Sequence, residues 1–254
     1  GRSLLQETVV RNMPFCDEFI IVTKESYRNI VNGQMKAFQS LKYRVVLEGS
    51  PKGTAAAIML GSQFCNQSEL VFVVTADNLI EGQEYKDAIL RAKELAKQGS
   101  IVALGVKPAK KNSNFGYLLR DEENVLKFIE KIRLDDDESF GYDDGFLWNS
   151  GMFLYRAGDL INAARAICPE LYDTCRMAKR KVAAIRRTVR FSQKVMKDIP
   201  QGSIERLIFE KLKNMKVVET AFRWKDVGNV CDLDENSSVS HSENVLKNHC
   251  EDVM

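Results

Sequence analysis

The sequence holds few of the residues that build transition-metal sites. Its only two histidines, His241 and His249, lie near the C-terminus, and its six cysteines are scattered without a C-x-x-C pair. Zinc centres are built from clustered Cys and His side chains, so the sequence argues against one. Scattered cysteines in a chain of this length are typical of reduced thiols, which predicts a reducing, cytoplasmic setting. A bound metal is therefore expected to be a hard cation held by carboxylates and phosphates, and Mg²⁺ is the first choice.

Long apolar runs and an excess of one charge are also missing. No stretch approaches the roughly 20 apolar residues that a membrane span requires, and residues 1–11 lack the apolar core of a signal peptide. The 37 basic residues nearly balance the 35 acidic ones and leave a net charge of +2. This balance argues against binding to nucleic acid. We therefore expect neither a membrane nor a nucleic-acid partner. The hydrophobic fraction of 44% predicts an ordinary packed core.

Short apolar runs alternate with helical patterns along the first half of the chain. The runs EFIIV (18–22), YRVVL (43–47) and LVFVV (70–74) have the length and composition of buried strands. Residues 54–64 and 85–98 carry apolar side chains at helical spacing. This alternation predicts an α/β fold, a doubly wound Rossmann-like arrangement with a mixed, mostly parallel central sheet.

The rest of the chain is predicted to add five strands, at 101–106, 115–120, 125–130, 151–155 and 216–220. The second and third of these are predicted to form a hairpin. We interpret residues 157–197 as helical, with their basic clusters as solvated helix faces, and 203–213 as a capped helix. Residues 1–231 are predicted to form one domain. Residues 232–254 are polar and weakly patterned, which indicates a C-terminal tail or the start of an appendage.

Asp77 is the best candidate for a metal-binding carboxylate on the basis of position. It follows the apolar run 70–74 after Thr75 and Ala76, and ligands of open α/β sheets bind beyond the carboxyl ends of the strands. A carboxylate at this point either caps a helix or binds a cation, and position alone leaves the two equally open.

Three other polar segments are candidates for binding. The loop GSPKGTA (49–55) follows a strand and opens a helix, so its amides could receive a base edge or a phosphate. Its spacing is not that of a P-loop, and a structural turn is favoured. Asn149, in WNSGMF, offers both a donor and an acceptor to sugar hydroxyls, and a strand-entry turn is the alternative. Asp135–Asp137 looks like the D-x-D motif of metal-dependent glycosyltransferases, but its polar context favours a solvated loop.

Taken in order, these segments resemble the mannose-1-phosphate guanylyltransferases (GDP-mannose pyrophosphorylases), within the sugar-1-phosphate nucleotidylyltransferase superfamily. The resemblance is carried by TAAAI (54–58), TAD (75–77), FGY (115–117), FIEK (128–131), WNSGMF (148–153), SIE (203–205) and WKDVG (224–228). It extends from residue 3 to about residue 229, and the two tryptophan-containing blocks are its most specific parts.

The resemblance implies an in-line attack of the phosphate oxygen of mannose 1-phosphate on the α-phosphorus of GTP, with pyrophosphate leaving. It implies a catalytic set of Asp77, Asp226 and Lys131, in which the two aspartates chelate one Mg²⁺ and the lysine contacts the sugar phosphate. The sugar would be held by Gly116, Tyr117, Glu130 and Asn149, and the guanine would lie near Gly53 and Thr54. A homodimer is one assembly that the resemblance allows, and the residues do not decide it.

The sequence also departs from the family pattern. The family's Gly-rich loop, G-G-x-G-x-R-L-W-P-L-S-R, has no counterpart here, and residue 1 stands where the family sequence resumes after it. We therefore expect this stretch, without that loop and the first strand, to be a poor catalyst alone. Asn78 stands where the family usually has His, and Lys52-Gly53-Thr54 where it usually has Arg-Asn-Thr. Two alternatives stay open: a nucleotidylyltransferase for another sugar or base, and a non-catalytic regulatory paralogue that kept the sugar pocket.

Overall fold

The computed structural model describes residues 1–109, 112, 115–129, 145–182 and 184–227. Its helices are α1 (Leu4–Asn12), α2 (Arg28–Met35), α3 (Thr54–Ser62), α4 (Glu84–Lys97), α5 (Ala157–Ile167), α6 (Pro169–Arg180), α7 (Gln193–Met196) and α8 (Ile204–Leu207). Its strands are β1 (Glu18–Lys24), β2 (Lys42–Glu48), β3 (Leu70–Val73), β4 (Asn78–Glu81), β5 (Ile101–Val106), β6 (Tyr117–Asp121), β7 (Asn124–Ile129), β8 (Phe146–Arg156), β9 (Ala184–Ile185), β10 (Thr188–Phe191), β11 (Met215–Thr220) and β12 (Arg223–Asp226). The predicted tail at 232–254 lies outside these residues, and so do Glu130, Lys131 and Asp135–Asp137.

A four-stranded sheet carries the first βαβ unit. Its order is β1-β2-β10-β9, in which β2 pairs in parallel with both β1 and β10, and β9 is antiparallel. Because side chains alternate along a strand, Val45 and Leu47 of β2 face the cluster that contains Met35 of α2, whereas Val46 faces the main core. Helices therefore cover both faces of β2, which explains its continuous apolar run.

A six-stranded sheet forms the centre of the molecule, in the order β3-β8-β5-β11-β7-β6. Within it β5 and β11 are parallel, and the other pairs are antiparallel. The prediction of an α/β fold with a mixed sheet is confirmed. The described strands of the central sheet are mostly antiparallel, however, and not mostly parallel as predicted. The reason is β8, a long strand that runs between β3 and β5 in the opposite direction and also pairs with the hairpin strand β6. Helix α4 covers one face of this sheet, and the main core covers the other.

The helical interpretation of residues 157–197 is correct for α5, α6 and the short α7, and wrong at two places between α6 and α7. Residues 184–185 and 188–191 form β9 and β10 instead. Within β10, Val189 and Phe191 are buried and Arg190 is exposed, an alternation with the period of a strand. Tertiary pairing of β10 with β2 decides the outcome over the helix-favouring composition of the flanking residues. The predicted helix at 203–213 is only α8 followed by a 3₁₀ turn at Phe209–Lys211.

Two short strands, β4 and β12, were not predicted at all. Among the strands of the described residues they pair only with each other, as an antiparallel two-stranded unit that we call the carboxylate ribbon (Asn78–Glu81 with Arg223–Asp226). Elsewhere the described helices include none that is both long and apolar enough to cross a lipid bilayer. The four cysteines within the described residues are free thiols.

Candidate functional site

The carboxylate ribbon brings together two aspartates from distant parts of the sequence. Asn78 is paired with Asp226 in the ribbon, and the amide of Val227 donates to the carbonyl of Asp77 at 3.1 Å. The side chains of Asp77 and Asp226 are both exposed. The two residues that the sequence proposes as metal ligands therefore lie on adjacent backbone segments at one edge of the molecule.

The donor set at the ribbon is compatible with Mg²⁺. The described part of the chain contains no group of three or more Cys, His, Asp or Glu side chains suited to a metal ion. Mg²⁺ in nucleotide enzymes commonly takes one or two protein carboxylates and completes its octahedron with substrate phosphates and water. Two exposed aspartates on adjacent backbone segments meet that requirement without a larger protein cage.

The predicted sugar-binding residues Gly116 and Asn149 are neighbours. The amide of Asn149 donates to the carbonyl of Gly116 at 2.8 Å. A Cβ atom added to Gly116 would lie 3.7 Å from Cβ of Asn149 and 3.4 Å from the carbonyl oxygen of Ile129, the last described residue of β7. Tyr117 is buried, and its hydroxyl donates to the carbonyl of Asn112 at 3.1 Å while accepting from that residue's amide. Its hydroxyl is therefore engaged by the backbone of Asn112.

The carboxamide of Asn149 is held in one orientation. Its Nδ2 donates to Oε1 of Glu205 at 3.2 Å, and its Oδ1 accepts from the amide of Gly151 at 3.1 Å. Glu205 is only 8% exposed and lies in α8. A buried carboxylate is stabilised by such donors, so the pair fixes both side chains. Glu205 was in a motif that carried the resemblance, but no function was predicted for it.

The loop between β2 and α3 (Gly49–Gly53) is held by its backbone. The amide of Gly49 donates to the carbonyl of Phe191 at 2.7 Å, and the amide of Gly202 donates to the carbonyl of Lys52 at 2.9 Å. Gly53 has φ of 92°, and a Cβ there would lie 2.4 Å from the carbonyl oxygen of Gly202. Only glycine adopts this backbone without strain at so close an approach. The structural-turn interpretation of the loop is thus supported by its contacts.

Thr54 connects that loop to the sugar-binding residues. Its Oγ1 accepts from the amide of Ile204, the first residue of α8, at 3.0 Å. The next residue of α8 is Glu205, which binds Asn149. Both Gly53 and Thr54 are exposed, as a binding surface requires. The start of α8 therefore joins the predicted base-binding loop to the predicted sugar-binding residues.

A buried carboxyl at the root of the loop was not predicted to matter. Glu48 ends β2 and is 6% exposed, and its Oε1 has no hydrogen-bond partner among the described residues. Desolvation by burial raises the pKa of the Glu48 carboxyl from 4.5 to about 7. The signal in the sequence was a single charged residue at the end of the apolar run that precedes a glycine.

An aromatic cluster lies between the ribbon and the sugar-binding residues. The ring of Phe115 lies 5.2 Å from that of Trp148 and 4.9 Å from that of Trp224, and the two indoles are 6.5 Å apart. Phe115 precedes Gly116, Trp148 precedes Asn149, and Trp224 is two residues before Asp226. Edge-to-face ring contacts of this kind fix relative orientation. The cluster thus brings together the chain segments that carry the predicted metal-binding and sugar-binding residues.

Comparison with known proteins identifies the family of the chain. A family model described as nucleotidyl transferase matches residues 1–243. Mannose-1-phosphate guanylyltransferases from Salmonella typhimurium and Escherichia coli are 29% and 27% identical, each over 96% of this chain. The chain spans about half of each of these relatives, 54% of their length.

Solved structures show the same fold. A Helicobacter pylori protein described as a mannose-6-phosphate isomerase superimposes with a TM-score of 0.84 and 31% identity, covering 89% of this chain and 91% of that one. A Thermus thermophilus protein described as a mannose-1-phosphate geranyltransferase gives a TM-score of 0.73 at 22% identity, over 93% of this chain and 70% of that one. The resemblance first seen in the motifs is confirmed over nearly the whole sequence. The chain belongs to the nucleotidyl transferase family, as a member similar to its mannose-1-phosphate guanylyltransferases.

Proposed function

We propose that this chain is the nucleotidyl-transfer part of an enzyme that makes GDP-mannose and pyrophosphate from GTP and mannose 1-phosphate, with Mg²⁺. The observation that carries the proposal is the convergence of Asp77 and Asp226 with Gly116 and Asn149 around one aromatic cluster. A pair of metal-binding carboxylates beside a hydroxyl-binding carboxamide suits a sugar phosphate that reacts with a nucleoside triphosphate. Because the chain spans half of its curated relatives, the proposal concerns the complete protein.

The reaction needs positioning and charge neutralisation more than a reactive side chain. A phosphate oxygen of the sugar phosphate forms a bond to the α-phosphorus of GTP, and the bond from that phosphorus to the α,β-bridging oxygen breaks, so that pyrophosphate leaves. Asp77 and Asp226 would hold the Mg²⁺, which when bound neutralises the phosphate charge. Asn149 presents a fixed carboxamide to the sugar hydroxyls, because Glu205 and the Gly151 amide hold it. Glu130 and Lys131 stay predicted contacts of the sugar and its phosphate.

The loop Gly49–Gly53 and Thr54 suit the base side of the nucleotide. Gly53 and Thr54 are exposed, so their solvent-facing side is open to a planar ring, while the Gly202 carbonyl fills the side on which a Cβ of Gly53 would lie. Helix α3 begins at Thr54, so the positive end of its dipole lies beside the loop and favours electron-rich ligand atoms. Guanine is favoured over other bases because the similar curated proteins are named guanylyltransferases.

Mannose is favoured as the sugar on two grounds. The curated relatives are named for mannose 1-phosphate, and the Helicobacter pylori structure is named for another mannose phosphate. A cytoplasmic location is part of the same proposal, because free thiols persist in a reducing compartment.

A substrate grid tests the proposal. Pyrophosphate release is measured with the complete protein and Mg²⁺ for mannose, glucose and galactose 1-phosphates, each with GTP, ATP and UTP. We expect the pair of mannose 1-phosphate and GTP to exceed every other pair by about tenfold or more in kcat/KM. A faster second pair would assign a different sugar or base. No release with any pair, from a protein that still binds mannose 1-phosphate, would favour a regulatory paralogue.

A further inference from the structure

Asn78 is buried at the end of the carboxylate ribbon, where β4 begins and β12 ends. Only 2% of its surface is exposed, although it follows the exposed Asp77 in sequence and is paired with the exposed Asp226 in the ribbon. Its backbone carbonyl accepts from the guanidinium of Arg11 in α1 at 3.4 Å. A buried carboxamide must satisfy its polar atoms within the protein, so the identity of its partners decides what it does.

Two donors fix the orientation of that carboxamide. We assign the Asn78 amide in the orientation that its neighbours require: Trp224 Nε1, which can only donate, then lies 2.9 Å from Oδ1, and the hydroxyl of Thr75 lies 2.5 Å from the same oxygen. An amide oxygen has two lone pairs, and these two donors occupy both. Nδ2 then donates to Oδ1 of Asp226 at 3.2 Å. The reversed amide would donate to the carbonyl of Ser150 at 3.3 Å but would set its N–H group against the indole N–H, so the orientation that accepts from Trp224 is favoured.

The fixed carboxamide of Asn78 restricts the side chain of Asp226. An exposed aspartate at the end of a four-residue strand has several rotamers available, and a fixed donor beneath it selects one of them. The donor is neutral, so this hydrogen bond orients Asp226 without adding a positive charge that would compete with a cation. A lysine or arginine in the same place would compete with the cation for the negative charge of Asp226.

We propose that Asn78 is a positioning residue that orients Asp226 for a divalent cation, while Thr75 and Trp224 orient Asn78. Asn78 acts through Asp226 and does not touch the substrate. The inference rests on the proposed Mg²⁺ site at Asp77 and Asp226. It assigns a function to the position at which this sequence departs from the usual histidine of its family.

The test measures cation binding rather than turnover. Mn²⁺ replaces Mg²⁺ as a paramagnetic probe, and its affinity for the complete protein saturated with GTP is measured by water-proton relaxation. We expect Asn78→Ala to weaken Mn²⁺ binding about tenfold or more, as loss of a hydrogen bond to a metal ligand commonly does. The affinity for metal-free GTP should stay unchanged, which a general loss of folding would not allow.

Asn12→Ala is the matched control. Asn12 is also a buried asparagine, 1% exposed, and its carboxamide binds Tyr85 and Thr8 rather than the ribbon. It should lower the melting temperature to a similar extent and leave Mn²⁺ affinity unchanged. If Asn78→Ala does not fold, Trp224→Phe carries the test, because it removes the indole N–H and keeps an aromatic ring. That variant should weaken Mn²⁺ binding about threefold or more.

Asp226→Asn separates the two ways in which the inference can fail. If Asp226→Asn weakens Mn²⁺ binding while Asn78→Ala and Trp224→Phe do not, the positioning function of Asn78 is wrong and the metal site stands. If Asp226→Asn binds Mn²⁺ as tightly as the unmodified protein, the metal site and the inference built on it are both overturned.

Discussion

The carboxylate ribbon and the loop Gly49–Gly53 are two parts of one site that are built in opposite ways. In the ribbon the chemistry belongs to side chains: two exposed aspartates above a buried carboxamide. In the loop it belongs to the backbone, which is held by Phe191 and Gly202 and depends on the missing Cβ of Gly53. The ribbon should therefore fail when charge is removed although the fold remains, and the loop should fail when bulk is added and stability falls.

Removal of charge from the ribbon should have the largest effect. Asp226→Asn and Asp77→Asn should each lower Mg²⁺-dependent pyrophosphate release roughly 100-fold or more, because each removes a ligand of the charge-neutralising cation. The thermal unfolding midpoint should hardly change, since both side chains are exposed. Asp173→Asn, at an exposed aspartate in α6, is the matched control and should retain activity. Near-normal turnover in both variants would contradict the assignment of Asp77 and Asp226 as metal ligands.

Adding a side chain at Gly53 of the loop should lower the stability of the fold. Gly53→Ala should lower the free energy of unfolding by about 2–3 kcal/mol, because of the positive φ and the contact with the Gly202 carbonyl. This change in the free energy of unfolding is measured by urea denaturation. Gly33→Ala is the control: a Cβ at Gly33, in α2, meets no atom within 4 Å, so that variant should gain up to about 1 kcal/mol. Equal stability changes in the two variants would contradict the argument.

The stability of the fold should also depend on pH, because of Glu48, the residue that precedes the loop. The pKa of Glu48 is raised to about 7 in the folded protein from 4.5, so the folded state binds the proton more tightly. Its contribution is fully present below the unfolded pKa and is lost as the pH rises through the folded one. Between about pH 5 and pH 7 the loss should be on the order of 2 kcal/mol.

Glu48→Gln removes this titration and keeps the shape of the side chain. Urea unfolding of the variant should show a flatter pH dependence than that of the unmodified protein over the same range. An unchanged slope would mean that another group is responsible. The exposed ribbon aspartates offer a contrast, because their replacement should alter activity much more than stability.

The smallest effect is expected at Asn149. Asn149→Ala should raise KM for the sugar phosphate about tenfold and leave KM for GTP nearly unchanged, since the carboxamide contributes hydrogen bonds to hydroxyls. Initial rates with each substrate varied in turn distinguish the two. An equal rise in both KM values would argue against a sugar-binding function and would blur the distinction between the two parts of the site.

The sequence predicted the elements that a short stretch of residues determines, and missed those that depend on distant partners. The runs that became β2 and β5 are buried on both faces, so continuous apolar residues were sufficient to locate them. The strands β4 and β12 are short and mixed in composition, and each is stabilised by a partner far along the chain. Pattern within a short window cannot reveal such pairing.

The same difference separates the site residues. Asp77 was predicted from its position after an apolar run and from the resemblance, and Asp226 from the specific motif around it. The function of Asn78 depends on Trp224 and Asp226, and that of Glu205 depends on Asn149, contacts that only the folded chain brings together. The misassignment of β10 as helix has the same origin, since its strand is defined by its pairing with β2.

The most direct test of the account follows the phosphorus atoms of GTP. The complete protein is supplied with mannose 1-phosphate, Mg²⁺ and GTP labelled either at the α- or at the γ-phosphorus, and the products are separated. The account predicts that the α-label appears in a sugar nucleotide and the γ-label in pyrophosphate, both only when the sugar phosphate is present. Release of the γ-label as orthophosphate, or its transfer to the sugar, would contradict nucleotidyl transfer as the function of this site.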